Sequence, residues 1–154
     1  MAVKHLRILG VVATDRTFEA TQLDGRRVWV GKCIHCAAKL VIGDDGRPLG
    51  AATVEHIWPQ SQGGGDDLPN LALACDRCNR EKGSRHDHKG AGDPRLAEIV
   101  ETLRRRRAER WRDPSEVGLA ARLRKLDGAA ASQGAEAEDA AARRAPRKRG
   151  ARRS

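Results

Sequence analysis

Four cysteines in two close pairs are the residues of this chain best suited to bind a metal. The sequence contains Cys33-Ile34-His35-Cys36 and, further along, Cys75-Asp76-Arg77-Cys78. Two residues between cysteines let both thiolates reach one tetrahedral ion, and four thiolates complete the coordination of zinc. The spacing therefore predicts a closed, structural Zn²⁺ site formed by all four cysteines. His35 could replace one cysteine as a ligand, but the four cysteines suffice, so His35 is interpreted as a surface residue.

Two other uses of the thiols stay open: a pair of disulfides, or a redox-active dithiol. The N-terminus has Lys4, His5 and Arg7 among its apolar residues, so it lacks the apolar core of a signal peptide. No stretch has the length needed to span a membrane. These features predict a cytoplasmic protein, and in a reducing cytosol paired thiols favour zinc over disulfides.

The residues between and after the cysteine pairs carry further motifs in a distinctive order. A glutamate and a histidine are followed by a proline, a glycine run, an Asn-Leu pair and C-x-x-C-N-x-x-K: Glu55-His56, Pro59, Gly63-Gly64-Gly65, Asn70-Leu71 and Cys75 to Lys82. Over residues 33–83, about a third of the chain, this arrangement closely resembles the HNH endonuclease family. Several elements agree in type and order, which makes the resemblance far more specific than one short motif.

The resemblance implies a ββα-metal fold, in which the first strand delivers Glu55 and His56 and the helix supplies the last metal ligand. It gives His56 the role of general base in phosphodiester hydrolysis, and Asn70 that of orienting the histidine ring. The chemistry suits the residue, because an ordinary histidine has a pKa near 6.5 and is mostly able to accept a proton at neutral pH. The implied products are a 5′ phosphate and a 3′ hydroxyl.

The same resemblance implies that Glu55 and Asn79 hold one catalytic divalent ion. The chain departs from the family name here, because the final histidine position is Asn79. Both protein ligands are then oxygen donors, and hard oxygen ligands favour Mg²⁺ or Mn²⁺. The cation would stabilise the crowded phosphate charge and the leaving oxygen.

Each of these residues also has an ordinary structural interpretation. His56 could be a packed or capping histidine, and Asn70 and Asn79 could serve turns or helix caps. The corresponding alternative function is a non-catalytic zinc module that binds nucleic acid. A pure binding module has no physical need of the Glu55, His56, Asn70 and Asn79 set, so the sequence favours the enzyme.

The charge of the chain favours a nucleic-acid partner. The 154 residues carry a net charge of +9, and basic proteins gain affinity for polyanions by releasing counterions. DNA is the expected substrate, with RNA as an alternative because no motif distinguishes the sugar. Four basic residues are candidate contacts to nucleic acid: Arg80, Lys82, Arg104 and Arg105. The run from Leu103 to Arg112 is interpreted equally well as a phosphate-binding surface or as a solvated helix face.

The flanking sequence predicts the elements that position the site. Strands are predicted over Leu6–Ala13, 17–23, 27–30, 40–42, 51–57 and 71–73, with a turn at Asp24-Gly25. Helices are predicted from Asp76 to Gly83, from Asp93-Pro94 through Leu103, and from Pro114 to Leu126. His86 and His88 are expected in a solvated loop.

The predicted fold class is α+β: a small ββα-metal core stapled by the four-cysteine zinc site, with N-terminal strands and C-terminal helices. We expect a strand region at residues 1–30, the nuclease domain at 31–90, a helical extension at 91–126 and a disordered basic tail at 127–154. The hydrophobic fraction is only 39%, with 3% aromatic residues. So small a core benefits from a stabilising metal.

Overall fold

The computed structural model of the chain describes residues 2–125. Leu126 of the predicted last helix and the predicted basic tail lie outside the described residues. The boundaries between the four predicted regions stay predictions.

A helix opens the fold where the sequence predicted a strand. Helix α1 spans Val3–Thr14, so the expectation of a strand over Leu6–Ala13, and of a purely strand-built region at residues 1–30, is wrong. Ile8, Val11 and Val12 are β-branched and favour strands. However, they are fully buried together with their neighbours, and a helix that is apolar on most sides is stable inside a core. Packing therefore decides the conformation of this short apolar run.

A three-stranded antiparallel sheet follows, in the order β1-β2-β3. The sheet and its first turn confirm the sequence prediction; the strands are β1 (Glu19–Leu23), β2 (Arg26–Lys32) and β3 (Lys39–Gly43). Asp24 and Gly25 have φ values of 50° and 74°, the type I′ geometry that Asp-Gly pairs favour in hairpins. The connection between β2 and β3 carries the first cysteine pair.

The next three elements form the predicted ββα unit. Strands β4 (Ala52–His56) and β5 (Leu71–Cys75) pair antiparallel, with His56 opposite Leu71 and Ala52 opposite Cys75. Helix α2 (Asp76–Lys82) follows β5 directly. The register places the catalytic candidate at one end of the hairpin and the second cysteine pair at the other.

In the C-terminal part of the described chain, one predicted helix is confirmed and another is shorter than predicted. Helix α3 spans Pro94–Arg110, and the Asp93 side chain caps it by accepting from the Arg95 N–H at 2.8 Å. The helix predicted from Pro114 is only a 3₁₀ turn, Pro114–Val117. Gly118 adopts a left-handed φ of 72°, which ends the turn before residues 120–125 become helical again.

Three arginines of α3 donate hydrogen bonds to backbone carbonyl groups: Arg106, Arg107 and Arg110. Arg106 donates to the carbonyl oxygens of Ile34 and His35 at 3.1 Å each, and Arg110 donates to that of Lys32 at 3.0 Å. The helix thereby holds the hairpin that carries the first cysteine pair. These contacts give the residues a structural role that neither interpretation of the basic run included.

Arg107 is the most deeply placed of these arginines, with only 1% of its surface exposed. Its guanidinium donates to the carbonyl oxygens of Leu71 at 2.7 Å and Thr14 at 2.9 Å, which joins β5 to the end of α1. Burial lowers its pKa to about 10, so it stays charged at neutral pH.

We expect Arg107→Met to lower the free energy of unfolding by about 2–4 kcal/mol, because several buried carbonyl groups lose their donor. Urea unfolding of the zinc-loaded protein measures the change. Arg105→Met is the matched control, since Arg105 lies exposed on the same helix and should change stability by less than about 0.5 kcal/mol. Equal losses in the two variants would contradict this role.

Candidate active site and zinc centre

The four cysteine sulfurs converge on one point. Their Sγ atoms all lie within 4.8 Å of one another, and Cys36 Sγ is 3.9 Å from Cys75 Sγ. A tetrahedral zinc ion with Zn–S bonds of about 2.3 Å requires S–S edges of about 3.8 Å. All four cysteines are free thiols, so the disulfide alternative is not what the structure contains. The donor set fits one structural zinc ion.

The protein backbone and the burial of the sulfurs also fit a cation. Cys33 Sγ accepts from the backbone N–H groups of His35 at 3.4 Å and Cys75 at 3.3 Å. A backbone hydrogen bond from Ala38 lowers the pKa of Cys36 to about 7, whereas burial raises the pKa of Cys78 to about 12. A buried thiolate needs a compensating positive charge, which zinc would provide.

His56 ends β4 with its imidazole partly exposed. Its Nε2 lies 2.8 Å from Asp66 Oδ1, and the other oxygen of Asp66 pairs with Arg7 at 2.9 Å. The sequence analysis missed both partners. Asp66 is one of two aspartates after the glycine run, and Arg7 comes from α1, so no spacing rule relates either to His56.

Asn70, which was expected to orient the His56 ring, stabilises the loop beside His56 through its side-chain hydrogen bonds. Its Oδ1 accepts from the Trp58 N–H at 2.8 Å, and its Nδ2 donates to the carbonyl oxygens of Trp58 at 3.1 Å and Gly65 at 2.9 Å. The loop is tight here, because a Cβ on Gly64 would lie 1.9 Å from the Trp58 carbonyl oxygen. Any influence of Asn70 on His56 is therefore indirect, through the loop that carries Asp66.

Asn70→Ala should lower the free energy of unfolding by about 1–3 kcal/mol, because three loop hydrogen bonds are lost. Urea unfolding beside Gln60→Ala, an exposed residue of the same loop, measures the effect. If the Asn70 variant is as stable as wild type and loses only activity, a direct action on His56 would replace this interpretation.

Glu55 is 1% exposed and lies between two basic side chains. Its Oε2 is 3.1 Å from His35 Nε2, and its Oε1 is 2.8 Å from Lys82 Nζ. Although Oε1 is close to this ammonium, it has no well-oriented hydrogen bond. The interpretation of His35 as a surface residue is wrong: it lies between Cys33 and Cys36, and its side chain reaches inward to the Glu55 carboxylate.

Asn79 lies on α2 beside β4. Its Nδ2 donates to Thr53 Oγ1 at 2.9 Å and to the Val54 carbonyl oxygen at 3.1 Å. With both amide hydrogens used by the strand, the side-chain oxygen is the group left to bind a cation.

Lys82 lies where a phosphate would not reach it. Its side chain is only 2% exposed, and Nζ lies close to Glu55, to Asp87 Oδ1 at 2.6 Å and to the His56 carbonyl oxygen at 3.0 Å. The expected contact to nucleic acid therefore does not fit this residue, whose amine has three protein oxygens around it.

Three of the four catalytic candidates share one cleft of about 340 Å³, whereas Asn70 lines a different groove. Glu55, His56 and Asn79 line the cleft together with Asp87, which the sequence analysis missed. Asp87 ends a single π-helical turn, Gly83–Asp87, that continues α2. The same turn carries His86, whose pKa burial lowers, so the expectation of a solvated loop is correct only for the exposed His88.

The other candidate contacts to nucleic acid are exposed. Arg80 pairs with Asp76 at 2.6 Å, one turn earlier on α2. Arg104 and Arg105 are solvent-accessible on α3, and Arg104 lines a second groove of about 690 Å³ with Trp58 and Trp111. Within residues 2–125, none of the helices has the length and apolar character needed to cross a membrane.

In a comparison with known families, residues 33–85 match the family described as HNH endonuclease. Neither the curated proteins nor the solved structures gave a significant match. The matched segment begins at Cys33, contains the ββα unit and ends within the π-helical turn. About a third of the 154-residue chain, residues 33–85, therefore matches the HNH endonuclease family and carries a four-cysteine cluster suited to zinc.

Proposed function

We propose that the protein is a metal-dependent endonuclease that hydrolyses DNA phosphodiester bonds, with His56 as general base. The observation that carries the proposal is the cleft in which Glu55, His56, Asn79 and Asp87 meet. It supports hydrolysis because a proton acceptor and several hard oxygen donors line one cleft. The oxygen donors fit Mg²⁺ or Mn²⁺, which when bound would stabilise the phosphate charge and the leaving oxygen.

The contacts of His56 support its proposed part in the reaction. A carboxylate 2.8 Å from Nε2 favours the tautomer that carries its proton there, so Nδ1 keeps the lone pair. Nδ1 would take a proton from the attacking water as the new P–O bond forms and the bond to the 3′ oxygen breaks. The leaving oxygen acquires a proton from solvent, which gives a 5′ phosphate and a 3′ hydroxyl. Asp66 would stabilise the imidazolium that forms when Nδ1 accepts the proton from the attacking water.

Glu55 and Asn79 would bind the ion in this scheme. Glu55 is kept in position by His35, and Asn79 by its two hydrogen bonds to β4. Exposed Arg80, Arg104 and Arg105 would bind backbone phosphates and add to the salt dependence of binding.

The test is conversion of supercoiled plasmid to nicked or linear DNA by zinc-loaded protein, with and without added Mg²⁺ or Mn²⁺. We expect cleavage only when the divalent ion is present. A single-stranded RNA of matched length, assayed in parallel, determines which nucleic acid is the substrate. An intact plasmid and intact RNA under all conditions would reject the enzyme.

A non-catalytic zinc module that binds nucleic acid is the second candidate. One observation favours it: both oxygens of Glu55 already face basic side chains, His35 and Lys82. In that case the protein would retard labelled DNA in a gel shift and leave it intact with every metal tested.

A further inference from the structure

A buried lysine lies beside the proposed catalytic cleft and is surrounded by oxygen atoms. Lys82 Nζ is 2.6 Å from Asp87 Oδ1, 2.8 Å from Glu55 Oε1 and 3.0 Å from the His56 carbonyl oxygen. The side chain is 2% exposed, so the ammonium has little water to replace these contacts. Three protein oxygens therefore converge on one positive charge.

The same oxygen atoms would suit a divalent cation. Two carboxylates and a carbonyl are hard ligands of the kind that Mg²⁺ and Mn²⁺ prefer. Glu55 Oε1 is buried without a well-oriented hydrogen bond despite its closeness to Nζ, so its attraction to the ammonium is mainly electrostatic. The carboxylate thus keeps a lone pair that the lysine does not fully use.

We propose that the Lys82 ammonium is an internal cation that competes with the divalent ion, and that Asp87 joins Glu55 as a carboxylate ligand when the ion binds. The inference rests on the proposed function for the identity of that ion. A lysine amine and a divalent cation on the same carboxylates repel each other at this range. Binding of the ion would therefore include displacement of the amine, which lowers the apparent affinity.

The surroundings of Asp87 and Lys82 explain which group would move. The Asp87 carbonyl oxygen accepts from Ser61 Oγ at 2.9 Å and Gln62 Nε2 at 3.3 Å, so the loop holds Asp87 in place. Lys82 has a flexible four-carbon side chain and lies at the end of α2. The carboxylate would stay while the amine turns away.

The experiment is a Mn²⁺ titration of the full-length, zinc-loaded protein, followed by the electron paramagnetic resonance signal of free Mn²⁺. Lys82→Met should bind Mn²⁺ at least tenfold more tightly than wild type, and Asp87→Asn at least tenfold more weakly. Lys4→Met is the matched control for loss of one positive charge, because Lys4 is exposed on α1; its affinity should equal that of wild type. Mn²⁺ does not replace zinc at four thiolates, since it prefers oxygen ligands.

The inference is overturned if Lys82→Met folds and binds Mn²⁺ no more tightly than wild type. It is also overturned if Asp87→Asn binds Mn²⁺ as tightly as wild type, or if none of the proteins binds Mn²⁺. If Lys82→Met does not fold, an NMR experiment on the wild-type protein tests the inference instead. The NMR signal of its buried ammonium should change as Mg²⁺ saturates the site, and an unchanged signal at saturation rejects displacement. Tighter binding by Lys82→Met in a protein that cuts no nucleic acid would keep this inference and reject the nuclease.

Discussion

DNA cleavage by His56→Ala is expected to be about 10²- to 10⁴-fold slower than cleavage by wild type, the usual contribution of a positioned general base. The substitution removes the proton acceptor and leaves Glu55, Asn79 and Asp87 in the cleft. Binding of Mn²⁺ and DNA should therefore change little. Initial rates of plasmid nicking at saturating Mg²⁺ give the factor, and zinc content and thermal melting show that the variant is folded.

His88→Ala is the matched control, because this histidine is exposed just beyond the π-helical turn. It should cleave at the wild-type rate. Added imidazole should restore part of the activity of His56→Ala and have no effect on the control. If His56→Ala cleaves within a factor of a few of wild type, His56 is not the base, and the packed or capping interpretation of the residue is correct.

Removal of zinc is expected to unfold the matched domain. The site ties the β2–β3 hairpin to the start of α2, and structural zinc sites contribute about 10–16 kcal/mol of apparent binding energy in small domains. This binding energy is about as large as the total free energy of unfolding of a typical folded protein, about 5–15 kcal/mol. Cys78→Ser should therefore lose its zinc and its cooperative thermal transition, measured by elemental analysis and circular dichroism.

His35→Ala provides the contrast, because His35 lies between two of the predicted ligands and is not one of them. It should keep one zinc ion per chain and a cooperative melt. Loss of zinc from this variant would mean that the histidine is a ligand in place of one cysteine. A Cys78→Ser protein that melts like wild type without bound zinc would contradict a structural role for the metal.

His35 shows that residue spacing alone does not predict contacts between distant side chains. Its position between Cys33 and Cys36 suggested a surface residue, because four thiolates leave zinc no further requirement. In the folded chain its Nε2 lies 3.1 Å from Glu55 Oε2. The contact exists because the Ile34 N–H bonds the Leu73 carbonyl oxygen at 3.0 Å and brings the cysteine hairpin against β5.

Arg107 shows a similar limit for charge patterns. Consecutive arginines 104–107 are equivalent as a charge run, yet Arg104 and Arg105 are exposed whereas Arg107 is buried against β5 and α1. Which arginine faces inward depends on the helix rotation that buries Leu96, Val100 and Leu103. The same dependence on packing made α1 a helix despite its β-branched residues.

The sequence by itself determined the parts of this protein that depend on residue type, spacing and order. These are the paired cysteines, the Glu55-His56 pair, the strand, strand and helix order, and the family match that they support. Only the tertiary structure decided the partners of those residues: Asp66 for His56, His35 and Lys82 for Glu55, and Asp87 for the cleft. The physical reason is that local spacing is encoded along the chain, whereas contacts between distant side chains depend on how packing orients each element.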